Sequence, residues 1–169
     1  MNDGAPTSLD ELLAIEAIRR LKTRYCLTCD SHDWAGYRAC FTDDAVVTGD
    51  LPVDGAGERP RYLADEWPER VARTLTMKSH HTVHQSLIEI TSPTTARGLW
   101  AYTQRGFAQT GGFYLEEYRK DGGAWRISAL RIVAIHGYDP AAQHSPPGSF
   151  EEVAARWDEI RAFASGADR

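Results

Sequence analysis

The chain has 169 residues, the size of a single domain that can bury roughly two-thirds of its unfolded surface. Its 42% hydrophobic and 25% charged residues are typical of a globular protein, and no apolar run is long enough to cross a bilayer. The formal charge of −5 disfavours nucleic acid, because phosphate binding needs a basic surface. We therefore predict one domain over residues 1–169, with a small-molecule ligand and without a nucleic acid or membrane partner.

The N-terminal residues and the cysteines indicate the compartment. Residues 1–10 have neither the positive segment nor the apolar segment of a signal peptide. Cys26, Cys29 and Cys40 are an odd number within one short region, which does not suggest a disulfide framework. We expect reduced thiols and a cytoplasmic protein.

The first part of the chain is predicted to be helical. Apolar residues at helical spacing predict an amphipathic helix over Leu9–Thr28, which ends near Asp30. A second short helix is predicted over Asp33–Phe41, followed by a brief strand over residues 45–48. Gly, Pro and Asp are concentrated over Gly49–Pro60, as in a loop that covers a cavity, and residues 61–76 return to a helical pattern interrupted by Pro68.

The second part of the chain is predicted to be β-rich. Alternating patterns separated by turn residues predict successive antiparallel hairpins, with strands over Thr82–Thr91, Ala96–Ala108, Phe113–Lys120 and Trp125–His136. A last amphipathic helix is predicted over Phe150–Ala164. Helices followed by long antiparallel strands indicate an α+β fold, with the helices on one side of a curved sheet and a pocket between them.

The order of these elements resembles the SnoaL-like branch of the nuclear transport factor 2 (NTF2-like) superfamily. The matching pieces are the first helix leading to Asp30, the short helix before Thr42-Asp43-Asp44-Ala45, the strand led by His84, and the segments 112–118 and 123–127. The likeness covers residues 9–138 and leaves 139–169 as a C-terminal extension, expected to close the cavity or to pack on a neighbouring subunit. Within the branch the chain looks most like scytalone dehydratase and hexachlorocyclohexane dehydrochlorinase.

The resemblance implies a catalytic dyad without a cofactor. In those enzymes an Asp at the end of the first helix and a His on the first long strand act together, and these roles map onto Asp30 and His84. An imidazole is a base near neutral pH, and a carboxylate on its other ring nitrogen would fix the tautomer and stabilise the imidazolium. The alternatives are a core histidine bonded to a backbone carbonyl and an acid that caps the following helix.

Aromatic residues are the candidates for contact with the substrate. Trp100 and Tyr102 share one face of their strand with Gln104, and Tyr114 lies on the next strand. Tyr25 precedes Asp30 by about one and a half turns. These positions suit a pocket lining with hydroxyl donors, although each could be an ordinary half-buried aromatic residue. The second histidine of scytalone dehydratase has no counterpart here, so its substrate class does not transfer.

Two other patterns in the sequence could indicate a metal site or a redox motif. His80, His81 and His84 could join Asp30 in a metal site, but His81 and His84 point to opposite faces of a strand and no Glu or Cys completes the spacing. No metal is therefore predicted. The Cys26-Leu27-Thr28-Cys29 segment has redox-motif spacing but lies at the end of a helix, which favours two small core residues.

These observations predict a cofactor-independent lyase of the dehydratase type. Its substrate would be a small, mostly apolar cyclic molecule, such as a polyketide, terpenoid-like or aromatic intermediate. The same dyad could drive an isomerisation or a cyclisation. The alternative from another class is a non-catalytic ligand-binding protein or the small subunit of a ring-hydroxylating dioxygenase, which would not need Asp30 and His84 to meet. By analogy with the fold, a dimer or trimer is expected.

Overall fold

A computed structural model describes residues 6–49, 60–76, 79–106, 109–138 and 150–168. In these residues six strands form one curved, open sheet with the order β2-β1-β6-β5-β4-β3. The strands are β1 (Phe41–Gly49), β2 (Arg61–Leu63), β3 (His80–Ser92), β4 (Thr95–Arg105), β5 (Gln109–Asp121) and β6 (Ala124–Tyr138). The helices are α1 (Leu9–Ser31), α2 (Trp34–Arg38), α3 (Glu66–Thr74) and α4 (Phe150–Ser165).

The predicted α+β fold is confirmed, with differences in detail. The four long strands β3 to β6 pair antiparallel in succession, as expected for hairpins. β1 is longer than predicted and runs parallel to β6, so the sheet is mixed. Pro68 lies in the first turn of α3, where a missing backbone N–H costs nothing, so it does not interrupt that helix. The loop predicted over Gly49–Pro60 falls largely outside the described residues.

Helix α1 begins and ends at well-defined caps. The Ser8 hydroxyl accepts a hydrogen bond from the Glu11 backbone N–H at 3.2 Å, and Asp10 and Glu11 lie in the first turn, where acids favour the helix dipole. The helix ends at Ser31, close to the predicted end near Asp30. His32 then stops it in the left-handed conformation, with φ of 63°. Asp30 therefore lies in the last turn of a helix that is still regular.

The inner face of the sheet, defined here as the face that packs against α1, holds most of the core. Its strands and α1 both contribute aromatic and aliphatic side chains. The buried inner-face residues include Trp100, Tyr102, Tyr114, Tyr118, Trp125, Ile127 and Leu130. They pack against Ala14, Ile18, Leu21, Tyr25, Cys26 and Cys29 of α1.

An ion pair lies inside this core. The Lys22 ammonium of α1 donates a hydrogen bond to Glu116 of β5, and both side chains are fully buried. The second carboxylate oxygen of Glu116 accepts a hydrogen bond from the Tyr118 hydroxyl, which accepts in turn from Trp100 Nε1 at 2.7 Å. The Lys22 ammonium also lies 4.0 Å from the ring centroid of Tyr25. The charges are thus paired within a connected network, as burial requires.

Helix α4 packs on the opposite, outer face of the same sheet. Ile160 and Phe163 are buried there in a second apolar cluster, which also holds Leu99, Leu115 and Val133 of the sheet. The expectation that all helices lie on one side is therefore wrong for α4. The helix of the C-terminal extension covers the sheet of its own chain. That the extension closes the cavity or packs on a neighbouring subunit stays a prediction. Self-association as a dimer or trimer stays a prediction.

Two ion pairs help to hold α4 in place. Arg97 of β4 lies 4.1 Å from the ring centroid of Phe163 and pairs with Asp168 just beyond the helix. Arg131 of β6 donates a hydrogen bond to Glu159 at 2.9 Å. In the described parts of the chain, none of the helices combines the length and the apolar character needed to cross a bilayer.

Replacing Lys22 alone should be strongly destabilising. We expect Lys22→Met to lower the free energy of unfolding by about 3–5 kcal/mol, because Glu116 would remain buried without its cation. Urea unfolding measures the change. Arg20→Met is the matched control, since the ion pair of Arg20 with Glu16 lies on the exposed side of the same helix and surface pairs contribute little. An equal loss in both variants would contradict the prediction.

Candidate active site

The carboxylate of Asp30 is held by three hydrogen bonds. His81 Nδ1 lies 2.6 Å from Asp30 Oδ1, and the Ser79 hydroxyl donates to the same oxygen at 2.8 Å. The backbone N–H of His81 donates to Asp30 Oδ2 at 2.8 Å. Because both carboxylate oxygens are occupied by donors from one short segment, the orientation of the carboxylate toward His81 is fixed.

The secondary structure brings these residues together. Asp30 is on the last turn of α1, and His81 is the second residue of β3, which packs beside that end of the helix. Ser79 lies immediately before the strand. The helix end therefore meets the start of the first long strand, the arrangement that the sequence predicted for an Asp and a His.

The pair is largely shielded from solvent. The side chain of His81 is 5% exposed and that of Asp30 is 17% exposed. Burial tends to raise the pKa of Asp30, but the hydrogen bonds from His81 and Ser79 outweigh it and hold that pKa below its usual value. Asp30 is therefore an anion at neutral pH.

This geometry suits His81 to proton transfer. A carboxylate can only accept, so the 2.6 Å contact assigns the proton of the neutral imidazole to Nδ1. Nε2 is then the basic nitrogen of the ring. When Nε2 takes up a proton, the anionic carboxylate stabilises the resulting imidazolium, as in hydrolase triads. The pair therefore has the geometry of a general base with an orienting group.

The predicted contact between Asp30 and His84 is wrong. His84 is exposed on β3, and the hydrogen bonds to the Asp30 carboxylate come from Ser79 and His81. The reason is a β-bulge between His84 and Leu87, where Gln85 has φ of 50°. In a regular strand His84 would share the inward face of Ile88 and Ile90, but the bulge shifts the alternation by one residue.

The four predicted substrate-binding aromatic residues are buried, three on the inner face of the sheet and Tyr25 on α1. Tyr102 and Tyr114 stack with ring centroids 4.2 Å apart, and Tyr25 packs edge-on against Tyr114 at 5.9 Å. Trp100 uses its indole N–H on Tyr118. Burial raises the pKa of both Tyr25 and Tyr114 well above the usual tyrosine value, so both hydroxyls remain protonated.

Cross-strand register shows which of these residues lie nearest the observed dyad, Asp30 and His81. His81 is opposite Gln104, and Val83 is opposite Tyr102. Gln104 is half-buried, and its side-chain oxygen lies 3.5 Å from the Thr110 hydroxyl. Tyr102 and Gln104 are therefore the neighbours of His81 on the inner face, as the predicted shared face of this strand implied. Substrate contact by Tyr25, Trp100, Tyr102 and Tyr114 stays a prediction.

The sequence did not identify His81 and Ser79 as partners of Asp30. It also did not identify Lys22 and Glu116 as a buried ion pair in the core. Signals for the pair were present, because Glu116 alternates with Tyr114 and Tyr118 on one face and Lys22 lies on the apolar stripe of α1. Nothing in the sequence alone marks the bulge that follows His84.

Neither metal nor thiol chemistry is indicated in the described residues. No group of three or more His, Cys, Asp or Glu side chains among them is arranged to hold a metal ion. The three cysteines are free and buried. Burial raises the pKa of Cys26 to about 11 and that of Cys29 to about 12, so both are protonated core residues, as predicted for this pair.

Known proteins share this fold. The family described as the SnoaL-like domain matches residues 10–131. A protein assigned as a scytalone dehydratase from Novosphingobium aromaticivorans is 19% identical, with 82% of this chain and 95% of that chain covered and a TM-score of 0.67. The hexachlorocyclohexane dehydrochlorinase LinA-type3 from Novosphingobium barchaimii is 20% identical, with 83% and 99% covered and a TM-score of 0.66.

A third similar structure has a different role. It is the β subunit of a protein assigned as an aromatic-ring-hydroxylating dioxygenase from Novosphingobium aromaticivorans, 18% identical, with 80% of this chain and 98% of that chain covered and a TM-score of 0.57. At such identities the structures establish the fold, an NTF2-like cone, and not the activity. The match over residues 10–131 shows that the chain belongs to the SnoaL-like family of the NTF2-like superfamily.

Proposed function

We propose that the protein is a cofactor-independent lyase that eliminates water or halide from a small, mostly apolar cyclic molecule. A polyketide, terpenoid-like or aromatic intermediate has the required chemistry. The observation that carries the proposal is the 2.6 Å contact between His81 Nδ1 and Asp30 Oδ1, with a second donor, Ser79, on the same carboxylate oxygen. In this proposal His81 has the catalytic role that the family resemblance implied for His84.

In the proposed reaction, side chains of this chain accept and return the proton. His81 Nε2 removes a proton from a carbon next to an activating group, and the C–H electrons form the new double bond. The neighbouring C–O or C–halogen bond breaks, so hydroxide leaves as water after protonation, or halide leaves as the anion. Asp30 stabilises the imidazolium, which returns its proton to the leaving hydroxide or to solvent. We propose that Tyr102, which lies opposite Val83, donates a hydrogen bond to the leaving group and keeps its own proton.

Two similar structures support this class of reaction. The names scytalone dehydratase and hexachlorocyclohexane dehydrochlorinase denote elimination of water and of hydrogen chloride. Isomerisation or cyclisation by the same dyad would give a product of unchanged mass, so the product separates these reactions from elimination. A purely ligand-binding role, as for a dioxygenase β subunit, does not require a carboxylate bonded to a histidine.

One prediction concerns His81 and His84 of β3. The wild-type protein is incubated with a panel of cyclic β-hydroxy ketones and chlorinated cyclohexanes. Mass spectrometry should detect products that are lighter than the substrate by one water or one hydrogen chloride. His81→Ala should lower kcat/KM by about 10²–10⁴-fold, because the general base is lost. His84→Ala is the matched control on the same strand and should keep nearly full activity.

The outcomes for these variants separate the alternatives. Equal activity of His81→Ala and wild type would remove His81 from the mechanism. Loss of activity in His84→Ala alone would restore the original assignment from the sequence. Binding of panel molecules without turnover by the wild type would favour the ligand-binding role.

A second prediction concerns Ser79 and the charge on Asp30. Ser79→Ala should raise the pKa of Asp30 toward the ordinary aspartate value, because one hydrogen bond to the charged form is lost. At neutral pH the variant should be less stable by about 1–2 kcal/mol. A lowered carboxyl pKa stabilises the fold above the unfolded-state value, and this contribution disappears as pH falls through the folded-state pKa.

Carbon-13 NMR of the Asp30 carboxyl group and urea unfolding at several pH values measure these effects. The stability difference between wild type and Ser79→Ala should shrink as pH falls below the unfolded-state aspartate pKa of about 3.9, and it should disappear below the lower pKa that Asp30 has in the folded wild type. Ser31→Ala is the control, since the Ser31 hydroxyl bonds the Thr28 carbonyl and not Asp30. An unchanged Asp30 pKa in Ser79→Ala would show that the hydrogen bond does not favour the anion.

A further inference from the structure

We propose that Lys22 and Glu116 form a positioning pair, which sets the register of α1 on the sheet and thereby brings Asp30 to His81. The proposal deepens the proposed function, because it assigns residues that position the dyad without touching a substrate. Both side chains are fully buried, so neither is offered as a contact for ligand.

One helix carries both the pair and the dyad. Lys22, Cys26 and Asp30 are spaced by four residues and follow one stripe of α1. Asp30 lies about 12 Å along the helix from Lys22, at a fixed rotation about the helix axis. Since α1 is a continuous helix over Leu9–Ser31, any shift or rotation at Lys22 is transmitted to Asp30.

The sheet fixes the partner of Lys22 just as firmly. Glu116 is tied to Tyr118, and Tyr118 to Trp100, on adjacent strands. The Lys22 ammonium lies between the faces of two tyrosines, 4.0 Å from the centroid of Tyr25 and 3.7 Å from that of Tyr114. The ammonium is therefore enclosed by oriented groups on both the helix and the sheet.

The apolar contacts of α1 do not define a register to the same extent. Apart from Lys22 and Thr28, its buried residues are mostly apolar, from Ala14 to the larger Leu21 and Tyr25, and hydrophobic contact is non-directional. A buried ion pair is directional, because a shift of one residue would leave both charges without a partner and without water. Any other position of α1 on the sheet therefore costs the energy of the unpaired charges. The position that keeps the pair is the one in which Asp30 reaches His81.

The packing around Tyr118 provides a second way to disturb the network. Gly98 lies beside this ring, and a Cβ at Gly98 would be 2.8 Å from Tyr118 Cε2 and 2.9 Å from its hydroxyl oxygen. Gly98→Ala should thus displace Tyr118 and, through it, Glu116, without changing any charged residue. An effect on the dyad from this site would have to pass through the network.

The test separates positioning from simple stabilisation with the double variant K22M/E116L. Replacing both charges with apolar side chains often leaves a fold as stable as before. We expect a urea midpoint close to that of the wild type, but loss of the hydrogen-bonded His81 ring-proton signal and a rise of the Asp30 pKa. Where turnover is found, kcat/KM should fall at least about 10-fold, because a small misplacement of a catalytic group is costly.

The double variant R20M/E16L is the matched control. It removes an ion pair from the exposed side of the same helix and should leave the His81 signal and the Asp30 pKa unchanged. A folded K22M/E116L protein that retains both the His81 signal and the low Asp30 pKa would overturn the proposal. If that variant does not fold, the same criterion applies to Gly98→Ala.

The NMR measurements need no substrate, so the two proposals fail separately. A wild-type protein that turns over no molecule of the panel would count against the elimination reaction alone. Retention of the Asp30–His81 contact in K22M/E116L would count against the positioning pair alone.

Discussion

The buried charge of Lys22 is the constraint on which the inner face of this protein depends. An ammonium group enclosed by the core must find its partners within the protein, and it finds the Glu116 carboxylate and two tyrosine rings. Tyr118 and Trp100 complete the network on the sheet. Hydrophobic contact is non-directional, whereas this network needs Lys22 to lie beside Glu116.

The functional proposal depends on a local arrangement and not on the fold. The NTF2-like cone is shared by enzymes and by the β subunit of a dioxygenase, so family membership alone does not decide between catalysis and binding. The contact of Asp30 with His81 forms where the end of α1 lies beside the start of β3. It supplies a base, an orienting anion and a defined tautomer, which are the parts that an elimination requires.

Much of the architecture was accessible from sequence because it rests on local patterns. Periodicity and turn residues predicted the first and last helices and the four long strands, and their order indicated an α+β fold. The position of Asp30 at the end of the first helix follows from the same pattern. Short or non-local features were missed: β2 has only three residues, and the parallel pairing of β1 with β6 joins segments far apart in the chain.

The sequence by itself determined the elements, their order and the kinds of side chain available for chemistry. The tertiary structure alone decided which histidine meets Asp30, because a bulge after His84 reverses the faces that simple alternation predicts. It also decided that α4 covers the outer face and that Lys22 pairs with Glu116, 94 residues away. Both outcomes depend on how distant surfaces pack, and a local pattern does not encode the partner of a buried charge or of an apolar helix face.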